Sequence, residues 1–291
     1  MMKKGDVKVQ AGKQVTWSQI LKWRKGKAIN SRRDFLAIEE PLQIDLITGP
    51  QGDPQRHTWL VTMRTPGYDY ELTAGLLFSE GIIDTRKDIV KMVWCNEPDQ
   101  QNYNLLQVRL SPNIEWDPQK YQRNLLSQSS CGICGQQSIE HLKAIADPNF
   151  DSLKPQISSE AILSMNTTLK QAQPAFLKTG GIHAAALFNT QGELLQVRED
   201  IGRHNAVDKL VGWAILESIP NLNQQVLVLS GRSSFEVIQK SIKAHLPIVV
   251  TVGAPSSLAV HLSQAYRQTL IGFLKASEFN IYSGFERVSP E

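Results

Sequence analysis

Short apolar strands alternate with amphipathic helices in the last third of this 291-residue chain. Val226–Leu229 is an apolar strand, a helix is predicted over residues 235–244, and residues 248–252 form a second apolar strand. Two strands joined through a helix are parallel neighbours in one sheet, and their crossover is right-handed. Because these strands have no polar side, the sheet must be buried on both faces. The pattern predicts an α/β layered fold.

The same alternation of short strands and helices extends over residues 126–291, which we predict to be one α/β domain. It includes a hairpin of residues 184–189 and 194–199, helices over 207–215 and 256–266, and a strand over 270–273. The preceding residues, 31–125, predict a small α+β unit. Its elements are strands near 42–46, 59–63, 89–94 and 105–110, with one helix over 68–79.

Charge is distributed unevenly along the chain. Residues 1–30 contain eight Lys or Arg residues and one Asp, a local charge of +7, whereas the whole chain carries +3, so the remainder carries −4. We therefore expect residues 1–30 to be a basic, flexible arm. Such an arm can contact nucleic acid or acidic lipid, but no basic stripe continues beyond it, which favours a solvated extension.

No signal peptide or membrane-spanning run is evident in the sequence, and there are only three cysteines. An odd, low cysteine count argues against a disulfide framework and predicts a reducing, cytoplasmic environment. In that environment a Cys-x-x-Cys pair is available for sulfur or metal chemistry.

The sharpest local motif is Ser-Ser-Cys-Gly-Ile-Cys-Gly at residues 129–135, followed by a predicted helix. A cysteine at a helix N-terminus is favoured as the thiolate, and flanking glycines leave the sulfur open to a second protein or a bulky cofactor. An open thiolate at Cys131, with Cys134 beside it, suits a persulfide relay.

Three other roles for the cysteine pair remain open on the residues alone. A structural zinc site would need further ligands such as Cys95 or His141, and no second pair at zinc-finger spacing is present. A thioredoxin-type redox pair lacks its usual preceding strand. Buried, inert cysteines are the third possibility, although a loop rich in serine and glycine is a poor core segment.

Two loops of the parallel unit indicate an anion site. Residues 230–234 and 253–257 each connect a strand to a helix, so both place helix N-termini at the carboxyl edge of the sheet. Arg232 would add a charge-assisted contact to phosphate. The simpler alternative is helix N-capping by Ser233 and Ser256. Neither loop matches a P-loop or a Gly-x-Gly-x-x-Gly fingerprint, which disfavours ATP hydrolysis and a standard dinucleotide fold.

Residues 198–205 (Arg-Glu-Asp-Ile-Gly-Arg-His-Asn) form a charged turn between a strand and an apolar helix. This turn is either a structural ion-pair network or a place where Arg203 and His204 orient a ligand. His183, which follows Gly180-Gly181-Ile182, is similarly open: the glycine pair is either an anion-binding amide nest or a bend.

Taken together, these motifs resemble the formate dehydrogenase accessory sulfurtransferase family, FdhD. The matching stretches are residues 75–83, 131–135, 180–187, 198–210, 230–239 and 270–275. They cover most of residues 60–291 and leave out the basic arm. Ile182, where the family often has a small or hydroxylated residue, is a departure that weakens any hydroxyl contact there.

The resemblance implies a cytidine deaminase-like fold without zinc catalysis. The sequence also argues against zinc catalysis. Zinc deaminases place His-x-Glu ahead of Pro-Cys-x-x-Cys, whereas here the cysteine pair comes first and no proline stands directly before it. Ala185 stands where the catalytic glutamate would be.

By the same resemblance, the chain takes sulfur from a cysteine desulfurase and transfers it to the bis(molybdopterin guanine dinucleotide) molybdenum cofactor of a formate dehydrogenase catalytic subunit. Cys131 then carries the persulfide and Cys134 assists it. The implied cofactor-binding stretch is Ile271, Gly272, Phe273, Leu274, Lys275 and Ala276, to which the loop argument adds Arg232. A homodimer is implied, with no metal ligands, zinc, nucleic acid or membrane. The alternatives are a non-catalytic chaperone for the molybdenum cofactor and, less favoured, a zinc-stabilised nucleic-acid binder.

Overall fold

A computed structural model describes residues 13–27, 29–50, 52–95, 104–114, 116, 150 and 155–290. The described chain begins with an antiparallel ribbon of β1 (Val15–Lys22) and β2 (Asn30–Ala37). The expected arm over residues 1–30 therefore needs correction from Val15 onward. Residues 14–21 carry no charge, which the net charge of the first thirty residues conceals, and their β-branched and aromatic side chains favour a strand.

A four-stranded sheet follows, in the order β4-β3-β6-β5. Its strands are β3 (Glu40–Thr48), β4 (Gln55–Arg64), β5 (Ile89–Trp94) and β6 (Leu105–Leu110). Alternate residues Leu42, Ile44 and Leu46 are fully buried and pack with α1 (Asp69–Ser79), as their period-two spacing predicts. The four predicted strands and the predicted helix of this part of the chain are therefore present.

The larger sheet has six strands in the order β13-β12-β11-β10-β8-β9. Their bounds are β8 (His183–Phe188), β9 (Leu194–Asp200), β10 (Val226–Leu229), β11 (Ile248–Thr251), β12 (Thr269–Gly272) and β13 (Asn280–Ser283). Strands β10, β11 and β12 are parallel, which confirms the predicted strand-helix-strand unit. The predicted hairpin of β8 and β9 is also present. A short parallel pair, β7 (Ile157–Ser158) and β14 (Val288–Ser289), lies apart from this sheet.

Helices cover both faces of the larger sheet. They are α2 (Ser159–Gln171), α3 (Pro174–Thr179), α4 (Arg203–Leu216), α5 (Phe235–Lys243) and α6 (Ser257–Ala265). Along β10, Leu227 and Leu229 join the core formed with α4, α5 and α6, whereas Val226 and Val228 join the core beneath α2. Burial on both faces is the physical reason that the strands are continuous apolar runs.

The α+β unit and the α/β domain meet where α1 crosses α4. A Cβ atom on Gly75 would lie 1.9 Å from the carbonyl oxygen of Asp208, and one on Gly212 would lie 1.8 Å from that of Glu71. Any larger residue at either position would collide with the opposite backbone. The two glycines therefore set how closely the helices approach. Across the described ranges, none of the helices combines the length and hydrophobicity needed to cross a bilayer.

Candidate functional site

The loops after β10 and β11 lie together at the carboxyl edge of the larger sheet, as predicted. The Gly253 N–H donates to the Gly231 carbonyl at 3.1 Å, and the Ser256 N–H donates to the Ser233 carbonyl at 3.0 Å. A Cβ atom on Gly253 would lie 2.9 Å from the Gly231 oxygen, so this position needs glycine for the loops to touch. Next to them, the Phe273 N–H donates to the Gly253 carbonyl at 3.1 Å. The ends of β10, β11 and β12 thus form one continuous backbone surface.

The serines in these loops have different roles. Ser256 caps α6, because its Oγ accepts the Ala259 N–H at 3.2 Å, so the capping explanation holds there. Ser233 caps no helix: it is 1% exposed, and its Oγ has no hydrogen-bond partner within the described chain. Ser234 occupies the N-cap position of α5, and its Oγ instead lies 2.9 Å from His204 Nε2.

A cluster of basic side chains faces this edge, which we call the cationic cluster: His183, Arg203, His204 and Arg232. Burial is the largest cause that lowers the pKa of His183, and the charges of Arg203, His204 and Arg232 lower it further, against an opposing effect of Asp200. The lowered pKa favours the neutral imidazole of His183, so the positive charge of the cationic cluster comes from its other members, chiefly Arg203 and Arg232. Arg203 Nε is buried without a hydrogen-bond partner among the described residues, and Arg232 is exposed. The cluster is an electropositive surface with free donor capacity, suited to an anion.

His204 is held in place by Glu236 on α5. Its Nε2 lies 3.0 Å from Glu236 Oε2. The hydrogen bond from His204 is the main cause that lowers the pKa of Glu236, with burial opposing it and nearby cations adding to it. Nothing in the sequence pairs these two residues, because they are 32 positions apart and meet only when α4 packs beside α5.

The rest of the charged turn, residues 198–205, is structural. Arg198 forms a two-point ion pair with Glu71 on α1 and lies over the Tyr68 ring, 4.1 Å from its centroid. Asp200 and Lys209 form a fully buried ion pair at 2.7 Å. The structural interpretation therefore holds for Arg198 and Asp200, which link the two units, whereas ligand orientation by Arg203 and His204 stays a prediction.

The predicted cofactor stretch alternates between buried and exposed residues. Ile271, Gly272 and Leu274 are buried, whereas Phe273, Lys275 and Ala276 are exposed. Gly272 is explained by packing within the chain, because a Cβ atom there would lie 2.9 Å from Pro255 Cδ. Of the six residues, only the three exposed ones can contact a ligand on the outer surface of the edge.

Phe273 and Lys275 differ in whether their side chains are available to a ligand. Phe273 is 41% exposed and has a positive φ of 54°, a conformation that costs a non-glycine residue roughly 1–3 kcal/mol and that clusters at functional sites. The Lys275 ammonium forms an ion pair with Glu278, and both side chains are largely exposed. Phe273 therefore presents a free ring, while the charge of Lys275 is already partly balanced.

The catalytic pair predicted from the sequence, Cys131 and Cys134, lies outside the described residues. Cys95, the residue after β5, is a partly exposed free cysteine. Within the portion of the chain that the structure describes, no three His, Cys, Asp or Glu residues are grouped as metal ligands. The structure thus describes the sheet edge and leaves the sulfur-bearing motif as a prediction.

Comparison with known proteins decides the family. The model of the FdhD/NarQ family matches residues 37–289, which is most of the chain. The chain belongs to the FdhD/NarQ family. A Streptomyces coelicolor protein named sulfur carrier protein FdhD is 41% identical over 275 residues, covering 93% of this chain and 94% of that protein. A Thermoplasma acidophilum protein of the same name is 41% identical over 278 residues, covering 94% and 93%.

A solved structure of a similar fold extends the comparison to three dimensions. The crystal structure described as a formate dehydrogenase accessory protein from Desulfotalea psychrophila has a TM-score of 0.72 and 23% identity. The match covers 95% of this chain and 100% of the chain in that structure. The FdhD resemblance inferred from the motifs is confirmed, and the mixed α/β fold is shared with that structure.

Proposed function

We propose that this FdhD/NarQ family member is a sulfurtransferase that loads sulfur onto a molybdenum cofactor. The main support is the family match over residues 37–289, a range that includes the Cys131-Gly-Ile-Cys134 motif. The relatives described above are also named sulfur carrier proteins. Identity of about 40% over nearly the full length of those relatives supports a common activity rather than a shared fold alone.

Loading takes the form of persulfide exchange with a cysteine desulfurase. The Cys131 thiolate attacks the terminal sulfur of the desulfurase persulfide, and the sulfur-sulfur bond of the donor breaks. The terminal sulfur, with its proton, becomes bonded to Cys131, and the donor cysteine leaves as a thiolate. Charge and atoms balance without any further reactant.

Release to molybdenum requires two electrons, because the outer sulfur of a persulfide is more oxidised than sulfide. We assign them to Cys134. Its thiol attacks the inner sulfur of the Cys131 persulfide, a Cys131–Cys134 disulfide forms, and the outer sulfur leaves as hydrogen sulfide carrying the Cys134 proton. A thiol reductant must reopen the pair before the next cycle.

The cofactor that accepts the sulfur is the substrate bis(molybdopterin guanine dinucleotide) molybdenum. The cationic cluster supports binding of its phosphates, since Arg203 and Arg232 offer charge-assisted hydrogen bonds. The free ring of Phe273 supports stacking of a base beside them. The two-faced layering of the larger sheet is consistent with the cytidine deaminase-like arrangement that the family resemblance implies.

The proposal names further partners and conditions. Sulfur comes from a cysteine desulfurase and goes to the catalytic subunit of a formate dehydrogenase, in the reducing cytoplasm. The protein acts as a homodimer, and it uses no zinc, nucleic acid or membrane.

Recovery of sulfurated, active formate dehydrogenase tests the assignment of the cysteines. Cys131→Ala should abolish recovery, whereas Cys134→Ala should permit loading but slow delivery, because an external thiol must then attack the persulfide to release the sulfur. Cys95→Ala is the matched control, because Cys95 is a partly exposed cysteine outside the motif. Wild-type recovery with Cys131→Ala would contradict the proposal. Cofactor binding that persists while sulfur is never loaded would favour the non-catalytic chaperone.

A further inference from the structure

One face of the ribbon formed by β1 and β2 is apolar although it is open to solvent. In an antiparallel pair, residues directly opposite each other lie on the same face. This face therefore carries three such pairs: Trp17 with Phe35, Gln19 with Arg33, and Leu21 with Ser31. All six residues are exposed, and the exposed fractions of Trp17, Leu21 and Phe35 are 50%, 72% and 49%. We call this surface the ribbon face.

The opposite face of the ribbon has the reverse character. On β1 it carries Thr16, Ser18, Ile20 and Lys22, and all four are half-buried. The ribbon contacts α3, so the rest of the chain covers a mostly polar face and leaves the apolar one open. An antiparallel sheet with one solvated face normally places its apolar residues on the packed side. This inversion indicates that the ribbon face is covered by something outside the chain.

Exposed apolar side chains are also concentrated around the ribbon. Sixteen large hydrophobic residues are exposed in the part of the chain that the structure describes. Six of them lie within residues 17–36, and Phe176 and Leu177 lie on α3 beside the ribbon. Single exposed apolar residues are ordinary on a protein surface, whereas a group of them marks a contact surface. Half of the exposed apolar residues thus belong to one region.

The ribbon is strongly basic as well. Residues 13–37 contain seven Lys or Arg residues and one Asp, a local charge of +6, whereas the whole chain carries +3, so the remainder carries −3. Arg33 lies on the ribbon face itself, with its guanidinium carbon 4.4 Å from the centroid of the Trp17 ring. Tryptophan and arginine are enriched among the residues that dominate protein interfaces. The complementary occupant is apolar and acidic.

The structure favours an acidic protein surface over three other occupants. A second ribbon face is disfavoured, because an isologous contact would bring two charges of +6 together. A bilayer is disfavoured, because among the described residues this sheet has two strands only, and hydrocarbon cannot satisfy their open backbone edges. Nucleic acid would stack on the aromatic rings but would leave Leu21 without a partner. A protein surface can satisfy the apolar side chains, the charge and the open edges together.

The ribbon also lies close to the cationic cluster. It contacts α3, and residues 180–182 connect α3 directly to His183. We propose that the ribbon face is the docking surface for the protein that receives the sulfurated cofactor, and that this partner contributes an acidic surface with apolar side chains. The inference rests on the proposed function, in which the recipient is the catalytic subunit of a formate dehydrogenase. A recipient bound to the ribbon would lie beside the proposed phosphate site.

Binding of the cofactor-free catalytic subunit to the full-length protein, measured by biolayer interferometry, tests this surface. Trp17→Thr should weaken binding at least about thirtyfold, the effect of an aromatic residue central to an interface, and Leu21→Thr about fivefold. Threonine favours strands, so both variants should keep the wild-type Tm. Leu195→Thr is the matched control, because Leu195 is an exposed leucine on β9, and it should bind as the wild type does.

Charge reversal tests the acidic character of the partner. Arg33→Glu should weaken binding about tenfold or more and should flatten its dependence on salt concentration. Lys91→Glu is the control, because Lys91 is an exposed strand residue on β5 and its reversal changes the net charge by the same amount. Lys91→Glu should keep the affinity and the salt dependence of the wild type.

The proposal is overturned if Trp17→Thr and Arg33→Glu bind the subunit as tightly as the wild type. It is also overturned if these variants bind the subunit normally and instead lose sulfur loading by the desulfurase, self-association in ultracentrifugation, or binding to phosphatidylglycerol vesicles or a single-stranded oligonucleotide. Sulfur loading of Cys131 is measured separately by intact mass. A wild-type protein that loads sulfur but does not bind the subunit removes the docking assignment alone, whereas one that never loads sulfur contradicts the proposed function.

Discussion

Replacing Lys209 should expose how strongly the two structural units depend on one buried charge. Its ammonium lies 2.7 Å from Asp200 Oδ2 and donates to the carbonyls of Thr65 at 2.8 Å and Glu199 at 3.3 Å. Both charged side chains are fully buried. Thr65 follows β4 of the α+β unit, so this one ammonium bridges that unit to the α/β domain.

Lys209→Met keeps most of the side-chain volume but leaves the Asp200 carboxylate buried without a counter-charge. Breaking a buried pair in this way costs about 3–5 kcal/mol. That is a large part of the roughly 5–15 kcal/mol by which folded domains are stable. Adding Asp200→Asn should restore part of the loss, because it removes the uncompensated charge.

Urea unfolding of each variant, extrapolated to water with the slope checked for constancy, measures the change. Lys275→Met is the control, since it makes the same substitution in the exposed pair with Glu278, where solvent screening leaves little or no change in stability to be expected. A loss from Lys209→Met no greater than that of the control would refute the argument. So would a double variant less stable than Lys209→Met alone.

Three further predictions address the site. GDP serves as the probe for the guanine dinucleotide, and Arg232→Ala should weaken its binding about ten- to a hundredfold, as expected for a lost charged hydrogen bond. Lys275→Ala should weaken GDP binding less, because the charge of Lys275 is already paired with Glu278. Calorimetry that shows no change in either variant would place the phosphates elsewhere. The hydrogen bond from His204 lowers the pKa of Glu236 in the folded state below its ordinary value of 4.5. The ionised carboxylate therefore stabilises the fold above pH 4.5, and this stabilisation is lost as the pH falls through the lowered pKa. Glu236→Gln should therefore lose less stability than wild type over that acidic range, and identical pH profiles of unfolding would contradict the assignment. Metal analysis of the purified protein should find no stoichiometric zinc, whereas one tightly held zinc that disappears in a Cys131/Cys134 double variant would indicate a structural metal site.

Much of the α/β domain could be predicted because its signals are local. The strands β10 and β11 are apolar throughout, and the helix between them is long enough to make the crossover, so parallel pairing follows from connection geometry. Parallel pairing in turn brings both following loops, and Arg232 with them, to one edge. Strand β1 was missed because a charge count over thirty residues hides a short uncharged stretch, and β7 and β14 are too short to show periodicity.

The parts of the site that escaped prediction depend on contacts between distant residues. Glu236 holds His204 only because α4 and α5 are neighbours. The reason that a position requires glycine also depends on contacts between distant residues. Gly272 lies in the predicted cofactor stretch, yet its lack of a side chain is required by Pro255.

Intact mass under non-reducing conditions tests the central claim most directly. After incubation with a cysteine desulfurase and cysteine, the wild-type protein should gain the mass of one sulfur atom, and a reductant should remove it. Cys131→Ala should gain nothing, while Cys95→Ala and Arg232→Ala should gain sulfur as the wild type does. A persulfide that forms equally well on Cys131→Ala, or a wild-type protein that never gains sulfur, would contradict the assignment of this chain as a sulfur carrier acting through Cys131.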